Sequence, residues 1–157
     1  MSKDVTKLLR HTLRKQGFVD LPAQGYSMFP AIRQGRVCRF VPFEESECSP
    51  GDVMLYANDS HQLVAHRYYG TRRIDHTTLY VLKGDSNLYP DEAVHAHQII
   101  GKLQRMAAEE HGLGRWLSPL FGGSLWCKLV MHAPPVTRWL HRYVHRRRLL
   151  QAGGETP

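Results

Sequence analysis

Long apolar runs are missing from this chain. The uncharged stretch Trp116 to Cys127 falls well short of the roughly 20 apolar residues that a membrane-spanning helix needs. Near the N-terminus the apolar positions are broken by charges, which does not fit a cleavable secretion signal. Cysteine is scarce as well. Cys38, Cys48 and Cys127 cannot all pair, and none has the close spacing of a zinc site. A Cys38–Cys48 bridge across a hairpin remains open beside the expected state, free thiols in a reducing compartment. Low-complexity tracts and internal repeats are absent, which excludes solenoids and linker-like proteins. Acidic residues are the minority charge, 14 Asp and Glu against 21 Lys and Arg, for a formal net charge of +7. What remains is a globular chain of 157 residues, enough for one domain with a real core and one or two appended helices. Its expected place is the cytoplasm or the periphery of a membrane.

Histidine, by contrast, is abundant, with ten in all. His95 and His97 would share a face on a strand, and His141 and His145 one side of a helix. Neither pair comes with the glutamate of a metalloprotease or with a third ligand nearby in sequence. Solvated histidines are the expectation, with no metal and no cofactor.

The chemistry-bearing residues lie elsewhere. Gly25-Tyr26-Ser27-Met28-Phe29-Pro30 reads as a sharp turn: Gly25 lets chains approach closely, and Pro30 cannot continue a strand or a helix interior. A serine on such a turn presents both its Oγ and its backbone N–H, the second a candidate oxyanion donor. A serine hydroxyl needs a neighbouring base to become a nucleophile. Gln62 to Tyr69 reads as a strand, closed by Gly70, and it carries His66. An imidazole ordinarily titrates at about pH 6.5, so in neutral solution it can take up that proton. Read alone, each is bland: a turn serine bonded to backbone, a half-buried strand histidine.

Taken in order, Gly25 to Pro30, Pro50-Gly51-Asp52-Val53, Ala65-His66-Arg67 and Lys83-Gly84-Asp85-Ser86-Asn87 resemble the boxes of the signal peptidase family of serine proteases, the S24/S26 group, in its histidine-using form. The run Ile99 to Leu103 resembles that family's closing Ile-Gly-Lys box, so the resemblance covers about residues 18 to 103. It implies Ser27 as nucleophile, His66 as base and Asp91 as the acid that orients the base, since Asp91 stands six positions after Asp85, with Asp85 as the alternative carboxylate. Gly25, Met28, Lys83 and Asp85 take supporting places. Asp85 is expected to tie its loop through backbone N–H groups, and Lys83 to be structural, with a Ser27/Lys83 dyad as the alternative. Ser86 departs from the family's usual Asn, and Pro90 stiffens the approach to Asp91.

The fold class expected is mainly β (α+β): a small coiled antiparallel sheet or barrel of signal peptidase type over residues 18–103, an N-terminal amphipathic helix over 1–17, and a basic helical extension over 104–157. In the first helix Val5, Leu8, Leu9, Thr12 and Leu13 share one side. It stands where membrane-bound signal peptidases carry their anchor, but is too short and too charged to span. In the extension, Ser118-Pro119, Gly122-Gly123 and Pro134-Pro135 mark breaks. From Lys102 onward basic residues outnumber acidic ones nine to three, against twelve to eleven before. Val136, Trp139, Leu140, Tyr143 and Val144 form one face of its last helix, which can lie on an anionic membrane or dock on the β domain.

The expected function is a serine endopeptidase that cuts an extended segment of a precursor or leader polypeptide, bound as an added strand. The alternative is a non-catalytic module of the same fold that acts through its basic helix on an anionic membrane surface or on nucleic acid. Nucleic acid is the less favoured partner, because no helix-turn-helix precedes the β region. Self-cleavage is disfavoured too, for want of an evident cut site near the N-terminus.

Overall fold

The structure, a computed structural model, describes residues 3–106 and 124–152. The breaks expected at Ser118-Pro119 and Gly122-Gly123 lie outside those residues.

Helix α1 (Lys3–Gln16) precedes seven strands: β1 (Val19–Pro22), β2 (Val37–Pro42), β3 (Val53–Ala57), β4 (Leu63–Ile74), β5 (Thr77–Lys83), β6 (Val94–His95) and β7 (Ile99–Met106). Helices α2 (Ser124–His132) and α3 (Pro134–Ala152) follow. The fold is therefore α+β. Its strands make one antiparallel sheet in the order β1-β2-β7-β3-β4-β5-β6, open at β1 and β6 rather than closed into a barrel. No helix among the described residues is long and apolar enough to cross a membrane.

Alternation along the central strand builds two cores. Successive side chains of a strand point to opposite faces, so Val53, Leu55 and Ala57 join Leu9, Leu13, Phe40 and Ile100 beneath α1. Met54 and Tyr56 pack on the other side with Tyr68, Tyr80, Leu82 and Ile99. In α1 the buried stripe is narrower than expected. Leu9 and Leu13 are inside and Val5 packs against them, whereas Leu8 is 63 % exposed because it lies about 100° around the helix from Leu9. Burying each leucine contributes about 1.5–3 kcal/mol.

Two other expectations change. Strand β4 does not stop at Gly70: the register shifts between Tyr68 and Gly70, Gly70 takes φ +141°, and pairing with β5 continues to Ile74. Gly70 is thus a bulge inside a long hairpin, since glycine tolerates a positive φ. Cys38 and Cys48 are free thiols belonging to opposite faces of the sheet, Cys38 under α1 and Cys48 against the other core. Burial pushes the Cys38 thiol up to about 11.

The C-terminal helices dock on the β domain. Val130 and Leu140 bury themselves with Trp126 against Ala31, and Phe29 and Val136 pack around them. Phe29 stacks on Tyr143 at 5.3 Å between centroids, and the Tyr69 hydroxyl donates to the Val130 carbonyl at 3.2 Å. The apolar face of α3 is therefore occupied by protein, which decides between the two readings of that stripe. Of the five residues expected on it, Trp139 is the one left exposed.

Candidate active site

The serine turn is pinned from below and from one side. Met28 is buried in the core beneath α1, while the Phe29 N–H donates to the Tyr26 carbonyl and the Ile32 N–H to the Met28 carbonyl. Gly25 enters the turn at φ +77°, a conformation that costs an L side chain energy. From the side, the loop after β5 wraps the turn: the Ser86 N–H donates to the Ser27 carbonyl at 2.9 Å, and the Ser86 hydroxyl lies 3.0 Å from the Tyr26 carbonyl and 3.1 Å from that of Ser27. A serine hydroxyl fits this cradle.

Gly84 is what lets the loop come so close. A Cβ there would lie 2.7 Å from the Ser27 carbonyl oxygen and 3.0 Å from the Asn87 side chain. Gly84→Ala is expected to push the turn away, lowering the rate of Ser27 acylation by roughly 100-fold and stability by about 1–3 kcal/mol. Reaction with a serine-directed probe, measured beside thermal unfolding, checks both. An unchanged labelling rate would mean that the cradle does not position Ser27.

Strand β4 brings the histidine. His66 pairs with Met54 of β3 and is itself buried. Its Nε2 lies 2.9 Å from Ser27 Oγ, and its Nδ1 lies 2.5 Å from Asp91 Oδ2. Asp91 is held in turn, because its N–H donates to the Leu82 carbonyl and its Oδ2 also accepts from the Tyr56 hydroxyl at 3.0 Å. Burial first, then the charge of Asp91 and this hydrogen bond, push the Tyr56 hydroxyl far above its ordinary range, so it stays a donor. Ser27, His66 and Asp91 thus form one continuous hydrogen-bonded row. Among the described residues no hydrogen bond within the fold occupies the Ser27 N–H, which leaves it available as an oxyanion donor.

Asp85 and Lys83, also expected at the site, lie apart from this row. Asp85 is fully buried, and its partners are side chains rather than the backbone groups expected: Arg67 Nε at 2.7 Å, Arg67 Nη2 at 2.7 Å and Trp126 Nε1 at 3.1 Å. The forked guanidinium matches both carboxylate oxygens, and Arg67 also donates to the Gly51 carbonyl at 2.8 Å. Asp85 therefore ties β4, the turn before β3 and helix α2 to the loop that cradles Ser27. Lys83 Nζ lies 5.7 Å over the Tyr69 ring. Burial lowers its pKa, with Asp85 opposing, but the side chain hydrogen-bonded to Ser27 Oγ is that of His66.

Sequence reasoning placed Arg67 and Gly84 inside the matched boxes but gave neither a role, and it gave none to Tyr56 or Trp126. Arg67 carried a physical signal besides: a charged residue amid a strand's apolar positions needs a buried partner of opposite charge. Among the described residues no group of three or more His, Cys, Asp or Glu is placed to hold a metal ion. His95 and His97 stack on one another, as do His141 and His145.

Ser27 and His66 open onto a groove of about 680 Å³. One wall runs from Leu21 to Gly25 at the outer strand β1, the other from Gln62 to His66 at the start of β4. Both walls carry open strand edges. Among the described residues β1 pairs only with β2, and β5 joins β4 no earlier than Arg67, so Leu63 to His66 pair on one side alone. Unpaired edges are ready partners for an extended peptide. No protein-family model matches the chain, and no curated protein or solved structure matches it.

Proposed function

We propose that the chain is a serine endopeptidase of the signal-peptidase type, acting on an extended polypeptide segment laid along the groove. The observation that carries this reading is the row from Ser27 Oγ through His66 to Asp91, at 2.9 Å and 2.5 Å, at the end of an edge-lined groove. The resemblance of the sequence boxes to that family supports it further, because the fold draws together residues that the boxes hold far apart.

The geometry suits acyl transfer. As Ser27 Oγ attacks the scissile carbonyl carbon, its proton passes to His66 Nε2, and the negative charge on the former carbonyl oxygen is met by the Ser27 N–H. Asp91, on the other ring nitrogen, fixes the tautomer and stabilises the imidazolium. Collapse of the tetrahedral species breaks the C–N bond, and the leaving amine takes the proton from His66. Water then attacks the ester, giving a proton to His66, which returns it to Ser27 as the carboxylate product departs. Leu21, Ala23, Leu63 and Ala65 line the groove and favour apolar substrate side chains.

A fluorophosphonate probe tests this directly. The wild-type chain is expected to take up one equivalent at Ser27, located by peptide mass mapping, and Ser27→Ala none. A probe that leaves Ser27 unmodified in the folded wild-type chain would overturn the reading.

A further inference from the structure

Among the described residues the outer face of α3 is basic and lacks a carboxylate partner, while its inner face packs on the β domain. Leu140, Val144 and Thr137 point into the molecule. On the opposite side Arg138, Arg142, His145 and Arg146 are exposed. No Asp or Glu occurs anywhere in residues 124–152, and among the described residues no carboxylate pairs with Arg138, Arg142, Arg146 or Arg147. Arg138, Arg142 and Arg146 stand four residues apart, so their like charges repel along one stripe of the helix. An anionic partner would relieve that repulsion. Two large apolar side chains share the face, Trp139 at 62 % and Leu149 at 59 % exposure.

We infer that this face docks the protein on a bilayer surface rich in anionic phospholipid. Arginines interleaved with an indole and a leucine suit the headgroup boundary, where the charges meet phosphates and the apolar groups dip beneath. A nucleic acid would use the arginines but leaves no role for Leu149. Trp139 also stacks on Tyr143 at 5.8 Å, and Tyr143 stacks on Phe29, two residues beyond Ser27. Docking therefore places the serine turn close behind the lipid-facing helix. A substrate tethered to the same bilayer would meet the groove at a raised local concentration.

Vesicle co-sedimentation tests the inference without recourse to catalysis, so its outcome is separate from that of the protease reading. The full chain is mixed with phosphatidylcholine vesicles containing or lacking 30 % phosphatidylglycerol, at low and at high salt. Binding is expected only to the anionic vesicles and to fall with salt. Arg142→Gln/Arg146→Gln is expected to weaken it at least tenfold, on the basis of roughly fivefold per arginine removed. Arg72→Gln/Arg73→Gln, an equal charge change on the exposed β4–β5 hairpin, is expected to leave it within twofold. Trp139→Phe should abolish any lipid-induced blue shift of the indole emission. Equal binding to neutral vesicles, equal loss in the two charge variants, or a preference for duplex DNA over the anionic vesicles would overturn the inference.

Discussion

His66→Ala is expected to lower turnover of a cleaved peptide by a factor on the order of 10⁶, and adding Ser27→Ala to it to cost almost nothing more. The reason is the shared proton. On the proposed mechanism Ser27 Oγ and His66 Nε2, 2.9 Å apart, act as one unit, so whichever is removed the hydroxyl is no longer a nucleophile. Asp91→Asn is expected to cost less, roughly 10⁴-fold, because the base survives in the wrong tautomer. With Oδ2 replaced by an amide donor, His66 Nδ1 becomes the acceptor and the ring's own proton sits on Nε2, which can then no longer accept the one from Ser27. A substrate from a quenched-peptide library, with wild type, Ser27→Ala, His66→Ala, the double variant and Asp91→Asn compared at saturation, checks the series. Additive losses for Ser27→Ala and His66→Ala would mean that the two residues do not act on the same proton. In that case the row from Oγ to Asp91 is a structural network and not a catalytic one.

Asp85→Ala is expected to unfold the protein more readily rather than slow its chemistry selectively, at a cost of about 3–5 kcal/mol. Arg67 is 2 % exposed and Asp85 is 0 % exposed, so removing the carboxylate strands a guanidinium away from water. It also takes the acceptor from Trp126 Nε1, loosening α2 from the cradle loop. The melting temperature should fall on the order of 10 °C or more. A second variant, Arg67→Met/Asp85→Leu, removes both charges and is expected to recover much of that loss, since a buried ion pair contributes little beyond an apolar pair of similar volume. If Asp85→Ala melts like the wild type while losing acylation, Asp85 belongs to the reaction and not to the scaffold. The contrast with Asp91→Asn is the sharper for it: the same residue type, six positions apart, is expected to give a kinetic defect in one case and a thermodynamic one in the other.

Much of the sheet was legible because its strands alternate. Val37–Pro42 and Thr77–Lys83 show that pattern in their residues, and α1 shows its stripe of Val5, Leu9 and Leu13. The short strands β1 and β6 were not anticipated, since four and two residues carry too little periodicity to stand out. Gly70 was misread for a different reason. A glycine that ends a strand and one that bulges it look alike until the partner strand is known. Leu8 was misplaced because a helical stripe has a width that its packing partner sets, not its sequence.

By itself, the amino-acid sequence determined the order of the chemical groups, the helix and strand periods, the excess of positive charge in the C-terminal segment, and the absence of an apolar run able to span a bilayer. These properties are local, fixed by neighbours within a turn or two of chain. Tertiary structure alone decided which carboxylate meets His66, which one is buried against Arg67, and which face of α3 packs on the protein and which stays exposed. Those choices depend on contacts between residues dozens of positions apart, where close packing and the cost of a buried unpaired charge select a single arrangement from many that the local pattern allows.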